Sequence, residues 1–267
     1  MPAQPDFCPD RDRTASSQGG GDKTDGADGG KGVTLAAAKA AIERVLCRSG
    51  KEHWAPFEYS AAQGLEIKCL KRWAEANGAW LTQPEMVVWE DSPGTGEHRL
   101  KEVGDRMWKA TKGGKFGIYL NCSGRAQADP ILQIQKVKGT PYQYLTRLTL
   151  LNVWSKEIDG LQHLPELTRL EGVVVLDDEF SIITSQPCFV HDHEQPDADE
   201  IHQWLASMGF QSVTAGIYYR ASDNLLLFDV KPANAIRSGG VIVPVDVIPM
   251  RPDGVLLSVV REVLGIR

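Results

Sequence analysis

At 267 residues the chain is long enough for one large domain or two small ones with an ample core. A net charge of −6 speaks against a polybasic surface for nucleic acid or anionic membrane, and no run approaches the roughly 18 consecutive apolar residues of a membrane span. The first residues lack the apolar core of a signal peptide. Cys8, Cys47, Cys69, Cys122 and Cys188 are odd in number and never paired as Cys-x-x-Cys, which favours thiols in a reducing cytoplasm over a disulfide frame or a zinc site.

Residues 1–32 are rich in Gly and Asp with few apolar side chains, the composition of a disordered tail. Thr34 is placed to cap a helix over Leu35–Leu46, whose Ala-rich sequence has high propensity but a thin apolar stripe suited to loose docking or a partner. With the following linker this forms a unit over residues 33–58. Ser60 to Asn77 reads as a second helix, with Leu65, Cys69, Leu70 and Trp73 near one face and Gly78 as its stop. From Met86 to Tyr119 short extended pieces punctuated by glycine suggest an antiparallel sheet. Pro141 to Trp154 has the spacing of a helix, with Tyr144, Leu145, Leu148, Leu151 and Asn152 in register. Gly172 to Val190 reads as two strands split by an acidic turn at Asp177-Asp178-Glu179. Asp197 to Met208 is a further helix ended by Gly209, and residues 216–246 are strand, loop and strand. The apolar spacing of Val255 to Leu264 suits a helix packed on the domain.

The most informative stretch is Asp229-Val230-Lys231-Pro232-Ala233-Asn234, followed by the apolar run Val241 to Val245 and then Asp246. An Asp, a Lys two positions on and an Asn five positions on reproduce the core of a protein-kinase catalytic loop. There the Asp accepts a proton from the attacking hydroxyl and the Asn reaches a magnesium ion, while a later carboxylate holds the other metal. Lys109, in the alternating Arg106-Met107-Trp108-Lys109-Ala110-Thr111, is the candidate cation for phosphate, since a half-buried Lys needs an anion. Gly94 and Gly96 could form a turn whose amides cover phosphate. His191-Asp192-His193-Glu194 reads as a solvated loop rather than a metal site, and the seven tryptophans as packing anchors.

These landmarks give the chain a resemblance to the kinase domain of phage and mobile-element polyvalent proteins, over roughly residues 59–250. They are Gly96-Glu97-His98; Lys109 to Lys112 with Phe116-Gly117; Thr140-Pro141-x-x-Tyr144-Leu145-x-Arg147-Leu148 with Asn152; Leu170 to Val173; Thr184 to Pro187; the Asp229 loop; and Pro244-Val245-Asp246. The resemblance implies an α+β, two-lobed protein-kinase-like fold over 59–267. An N-lobe of antiparallel sheet plus helix would span about 80–186, and a reduced, mostly helical C-lobe about 187–267. It implies Asp229 and Lys231 as catalytic residues, Asn234 and Asp246 as magnesium ligands, and Lys109, Gly94 and Gly96 on the phosphates of ATP. Gln186 to Cys188 would be the hinge that receives adenine.

Four departures from the kinase pattern bear on function. The helix Pro141 to Trp154 has no acidic residue to hold Lys109, so Gln143, or Glu157 beyond it, is the expected partner. Leu227-Phe228 replaces His-Arg before the catalytic Asp, and Val247-Ile248 replaces Phe-Gly after Asp246. The 21 residues beyond Asp246 leave no room for a full activation segment and peptide-binding subdomain. The expected activity is transfer of the γ-phosphate of ATP, with magnesium, to a hydroxyl on a protein or small molecule. A pseudokinase acting as a nucleotide-binding or interaction module is the alternative, and an unrelated α+β protein is a third reading that requires Lys109 to lie far from Asp246.

Overall fold

The computed structural model describes residues 33–48, 59–82, 90–91, 98–122, 129–190, 192 and 194–266. Three helices pack together first. Helix α1 (Leu35–Arg48) begins at Thr34, whose hydroxyl accepts the Ala37 amide, and α2 (Tyr59–Asn77) ends at Gly78 in the left-handed region. Helix α3 (Pro141–Ser155) opens with a capping box between Thr140 and Gln143. Loose docking of α1 is corrected by the structure: Leu35, Ala38, Ile42 and Leu46 are all buried in one core with Leu70 and Trp73 of α2 and Tyr144, Leu145 and Leu148 of α3. The stripe is thin because its facing helices bring large side chains to it. Glu66 of α2 is also buried, and its Oε2 accepts the Tyr142 amide at 2.8 Å, at the start of α3.

Against these helices lies an antiparallel five-stranded sheet. Its strands are β1 (Glu90–Asp91), β2 (His98–Val103), β3 (Arg106–Thr111), β6 (Arg169–Leu176) and β7 (Glu179–Pro187), in the order β1-β2-β3-β7-β6. The acidic turn falls where expected: Asp177 and Asp178 have φ of 49° and 62°, the backbone a two-residue hairpin needs. Between β3 and α3 runs the separate hairpin β4 (Ile118–Cys122) and β5 (Ile134–Lys138).

The C-terminal part departs from the mostly helical expectation. Beyond Pro187 only α4 (Ala198–Ser207) and α5 (Gly254–Val263) are α-helical among the described residues. The rest is sheet: β8 (Gln211–Thr214), β9 (Ile217–Arg220), β10 (Leu225–Phe228) and β13 (Ile248–Met250) in the order β13-β10-β9-β8, and the hairpin β11 (Ala235–Ser238) with β12 (Val241–Pro244). The physical reason is the length of the apolar runs. Leu225 to Phe228 is buried on both sides, Leu225 and Leu227 in one cluster and Leu226 and Phe228 in another. A four-residue run between turns can bury both faces as a strand but is too short for a helix. Helix α3 joins the two parts: its first turns lie in the core shared with α1 and α2, while Leu151 and Trp154 pack with Leu205, Phe210 and Leu227. No helix among the described residues is long and apolar enough to cross a membrane.

Candidate functional site

Strand β3 runs between β2 and β7, and its register sets Lys109 opposite Leu100 and Thr184, Thr111 opposite His98, and Met107 opposite Gln186. Paired residues share a face, as do residues two apart, so His98, Lys109, Thr184 and Gln186 project from the same side of the sheet. That side meets Tyr144, Arg147, Leu148 and Leu151 of α3 and the segment 245–249 across a narrow cleft. The Tyr144 hydroxyl lies 3.3 Å from His98 Nε2 and 3.4 Å from Thr184 Oγ1 at its wall.

The opposite wall grows out of β10. Asp229, directly after the strand, has a φ of 56°, a left-handed conformation that a non-glycine residue adopts at a cost. Asn234 holds it there: its Nδ2 donates to the Asp229 carbonyl and to Oδ2, both at 2.7 Å. Between them Pro232–Asn234 forms a 3-10 turn. The β11–β12 hairpin, turning through Gly239 and Gly240, carries the chain back so that the Val245 and Asp246 amides donate to the Asn234 carbonyl at 3.1 and 3.3 Å. Strand β13 then pairs with β10, Ile248 opposite Phe228. Residues just after one strand and just before its antiparallel neighbour must meet, so Asp229, Asn234 and Asp246 converge.

Lys109 closes the gap between the walls. Its Nζ donates to Asp246 Oδ1 at 2.7 Å and to the Val245 carbonyl at 3.3 Å. The Lys109 side chain is 13% exposed, whereas 55% of the Asp246 side chain faces the opening even though protein surrounds it. Burial works to raise the Asp246 carboxyl, but the charge and hydrogen bond of Lys109, with Arg147 nearby, outweigh it and hold the group below the ordinary carboxylate range. Asp229 behaves alike. Burial raises it, while hydrogen bonds from Lys231 and Asn234 and the charges of Lys231, at 3.1 Å, and Lys136, at 3.6 Å, bring it below its usual value. Both carboxylates are therefore ionised at neutral pH. His98 is neutral there, since burial and then the charges of Arg147 and Lys109 lower it to about 3.

Other expected partners lie elsewhere. The expected hydrogen bond from Lys109 to Gln143 does not form; Gln143 Oε1 accepts the Thr140 amide as part of the helix cap. Glu157 instead grips Arg220, at 2.6 and 3.0 Å. In the hinge segment, Gln186 Nε2 donates to Thr168 Oγ1, and the Cys188 amide donates to the Asp105 carbonyl at 2.8 Å, so that donor already has a protein acceptor. Gly94 and Gly96, like His191 and His193, lie outside the described residues. Three side chains at the site have no role assigned by the sequence: His98 and Arg147 in the cleft, and Lys136 beside Asp229. Arg147 was discoverable, because it sits three residues after Tyr144 and four before Leu151, on the buried stripe of α3 where an Arg is out of place.

The donor set suits a hard divalent cation. Asn234 uses its amide nitrogen on Asp229, and among the described residues its Oδ1 accepts no hydrogen bond, leaving an oxygen ligand beside two ionised carboxylates. The space between the walls is only about 30 Å3 with Lys109 on Asp246. No curated protein and no solved structure matches the chain. Residues 135–250 match a family model described as Serine/Threonine/Tyrosine Kinase found in polyvalent proteins, a span that takes in α3, the Asp229 loop and Asp246 but begins after Lys109. The match supports a kinase-like domain of the polyvalent-protein type in that segment, where β10, the β11–β12 hairpin and β13 bring an Asp, an Asn and an Asp together.

Proposed function

We propose that the cleft is a phosphotransferase site, taking the γ-phosphate of ATP to a hydroxyl acceptor. The observation that carries this reading is the meeting of Lys109 with Asp246, 137 positions apart in the chain, beside Asp229 and Asn234. An unrelated protein with a chance hexapeptide has no reason to bring these four together.

In this reading the acceptor oxygen forms a bond to the γ-phosphorus as the bond to the ADP oxygen breaks, and the hydroxyl proton passes to the Asp229 carboxylate. Asn234 fixes Asp229 by donating to both its carbonyl and its carboxylate, so Asp229 can orient the acceptor without rearranging. Lys231, at 3.1 Å from Asp229 Oδ2, sets positive charge beside the transferring group. Magnesium, held by Asn234 and Asp246, would neutralise phosphate charge. Lys109 must exchange Asp246 for phosphate, which both opens the cleft and frees the Asp246 oxygen. The two-lobed arrangement belongs to this reading, with the sheet carrying Lys109 as one lobe and the β10 region as the other.

The same closed contact favours a second reading, a pseudokinase whose Lys109–Asp246 pair is a permanent latch. Calorimetry of the full chain with ATP, with and without magnesium, separates the two. Magnesium-dependent binding that is lost in Lys109→Ala supports the phosphotransferase site. Absence of binding in the wild type under both conditions rules out ATP as its ligand and leaves the latch.

A further inference from the structure

Arg147 is the cleft residue whose chemistry the reading above leaves unused. Its guanidinium carbon lies 4.6 Å from the centre of the Tyr144 ring, a cation-over-aromatic contact within one helix face. Its outer end reaches the backbone at Gly117, where an added Cβ would stand 2.1 Å from Nη1. Only glycine, here with φ of 82°, leaves space for the guanidinium at that point. Two neighbours thus fix the group in place.

Nη1 is buried and has no hydrogen-bond partner among the described residues. A guanidinium cannot shed its proton to escape this situation, and a buried charged donor without an acceptor is unfavourable. The surroundings add to the anomaly. Arg147 shares the cleft with Lys109, and its charge reaches both His98 and Asp246. Helix α3 holds no acidic residue, so it offers no carboxylate to either cation, and among the described residues the one acid that touches Lys109 is Asp246. A second cation therefore stands on the helix from which a kinase ordinarily sets a carboxylate against its lysine.

We propose that Arg147 is a phosphate-binding residue which, together with Lys109, holds the polyphosphate of a nucleoside di- or triphosphate. The inference rests on the phosphotransferase reading and assigns part of its substrate recognition. A planar guanidinium offers two parallel N–H donors to phosphate oxygens, which a lysine does not. Arrival of the polyphosphate supplies the acceptor that Nη1 lacks and a new anion for Lys109, which releases Asp246. Because Arg147 belongs to α3, bound phosphate would also tie that helix, and α1 and α2 packed on it, to the cleft.

The test is calorimetry of the full chain and its variants with ADP, ATP and adenosine, alongside thermal unfolding of each variant. Arg147→Gln is expected to weaken ADP and ATP binding at least about tenfold while leaving adenosine affinity unchanged. Arg147→Lys, which keeps the charge but loses the fork, is expected to weaken ADP at least about threefold and serves as the deciding variant if Arg147→Gln does not fold. ADP affinity equal to wild type in either folded variant, with binding lost in Lys109→Ala, overturns the role of Arg147 and leaves the nucleotide site standing. A wild type that binds neither ADP, ATP nor adenosine overturns both.

Discussion

Asp229 carries two independent costs, a left-handed backbone and a partly buried negative charge. The Asn234 amide offsets both, bonding the carbonyl and the carboxylate of the same residue. Asp229→Asn keeps the shape and removes the proton acceptor. Phosphoryl transfer, followed with labelled ATP, should fall by roughly a thousandfold while ATP affinity stays within about twofold. Equal turnover by both proteins would remove Asp229 from the base role. Glu66 is the other residue whose environment decides its chemistry. Burial raises its carboxyl to about 7 despite the hydrogen bond from the Tyr142 amide, and its Oε1 has no partner among the described residues. The folded protein favours the protonated form, so the contribution is full below pH 4.5 and is lost as pH rises through 7. Glu66→Gln keeps an acceptor for Tyr142 without the charge. Urea unfolding at pH 8 should show a gain on the order of 2 kcal/mol over wild type, shrinking to nothing near pH 4.

Helix α3 does the positioning at the scale of elements. It supplies Tyr144 and Arg147 to the cleft, rests its first turns on α1 and α2, and drives Leu151 and Trp154 into the C-terminal core. Its end is tied to β9 by Arg220, which bonds Glu157 and Asp223 and lies over the Phe210 ring at 4.7 Å. Arg220→Ala should lower stability by on the order of 2–3 kcal/mol in denaturant titration, because both acids lose their partner while the Phe210 contact is lost too. Ile42→Ala tests whether α1 is integral. With Ile42 only 1% exposed, a loss of about 3 kcal/mol is expected, and an unchanged midpoint would mean that α1 detaches without consequence. The helices, the acidic hairpin and the cap at Thr34 were legible because each depends on neighbours within a few residues. The strands after Gly209 were less so, since Leu225 to Phe228 has no period that distinguishes strand from buried helix.

For the whole molecule, two buried groups pull the acid response in opposite directions. His98, lowered to about 3, contributes stability that is complete above pH 6.5 and lost as pH falls toward 3. Glu66 contributes in the opposite sense between pH 4.5 and 7. Each alone can give at most about 1.4 kcal/mol per pH unit, and from pH 4.5 to 6.5 the two oppose each other. Wild-type stability should be nearly level across that interval. Below it His98 continues to lose stability, joined by Asp229 and Asp246 as pH falls through their lowered values. Glu66→Gln should expose the His98 slope, with stability rising from pH 4.5 to 6.5. A level profile in that variant would show that His98 is not held neutral by the fold.

The sequence alone determined which groups the Asp229 loop carries, because an Asp, a Lys and an Asn stand within six residues of one another. It also determined the helices, whose hydrogen bonds and caps are local. The tertiary structure alone decided which partner each charged side chain takes. Lys109 faces Asp246 rather than Gln143, Glu157 faces Arg220, and Arg147 turns into the cleft. Those pairings depend on strand register and on the antiparallel return of β13 to β10, which join residues far apart in the chain. A local pattern carries no record of where a distant strand will lie, so the residues of the site were readable singly while their arrangement was not.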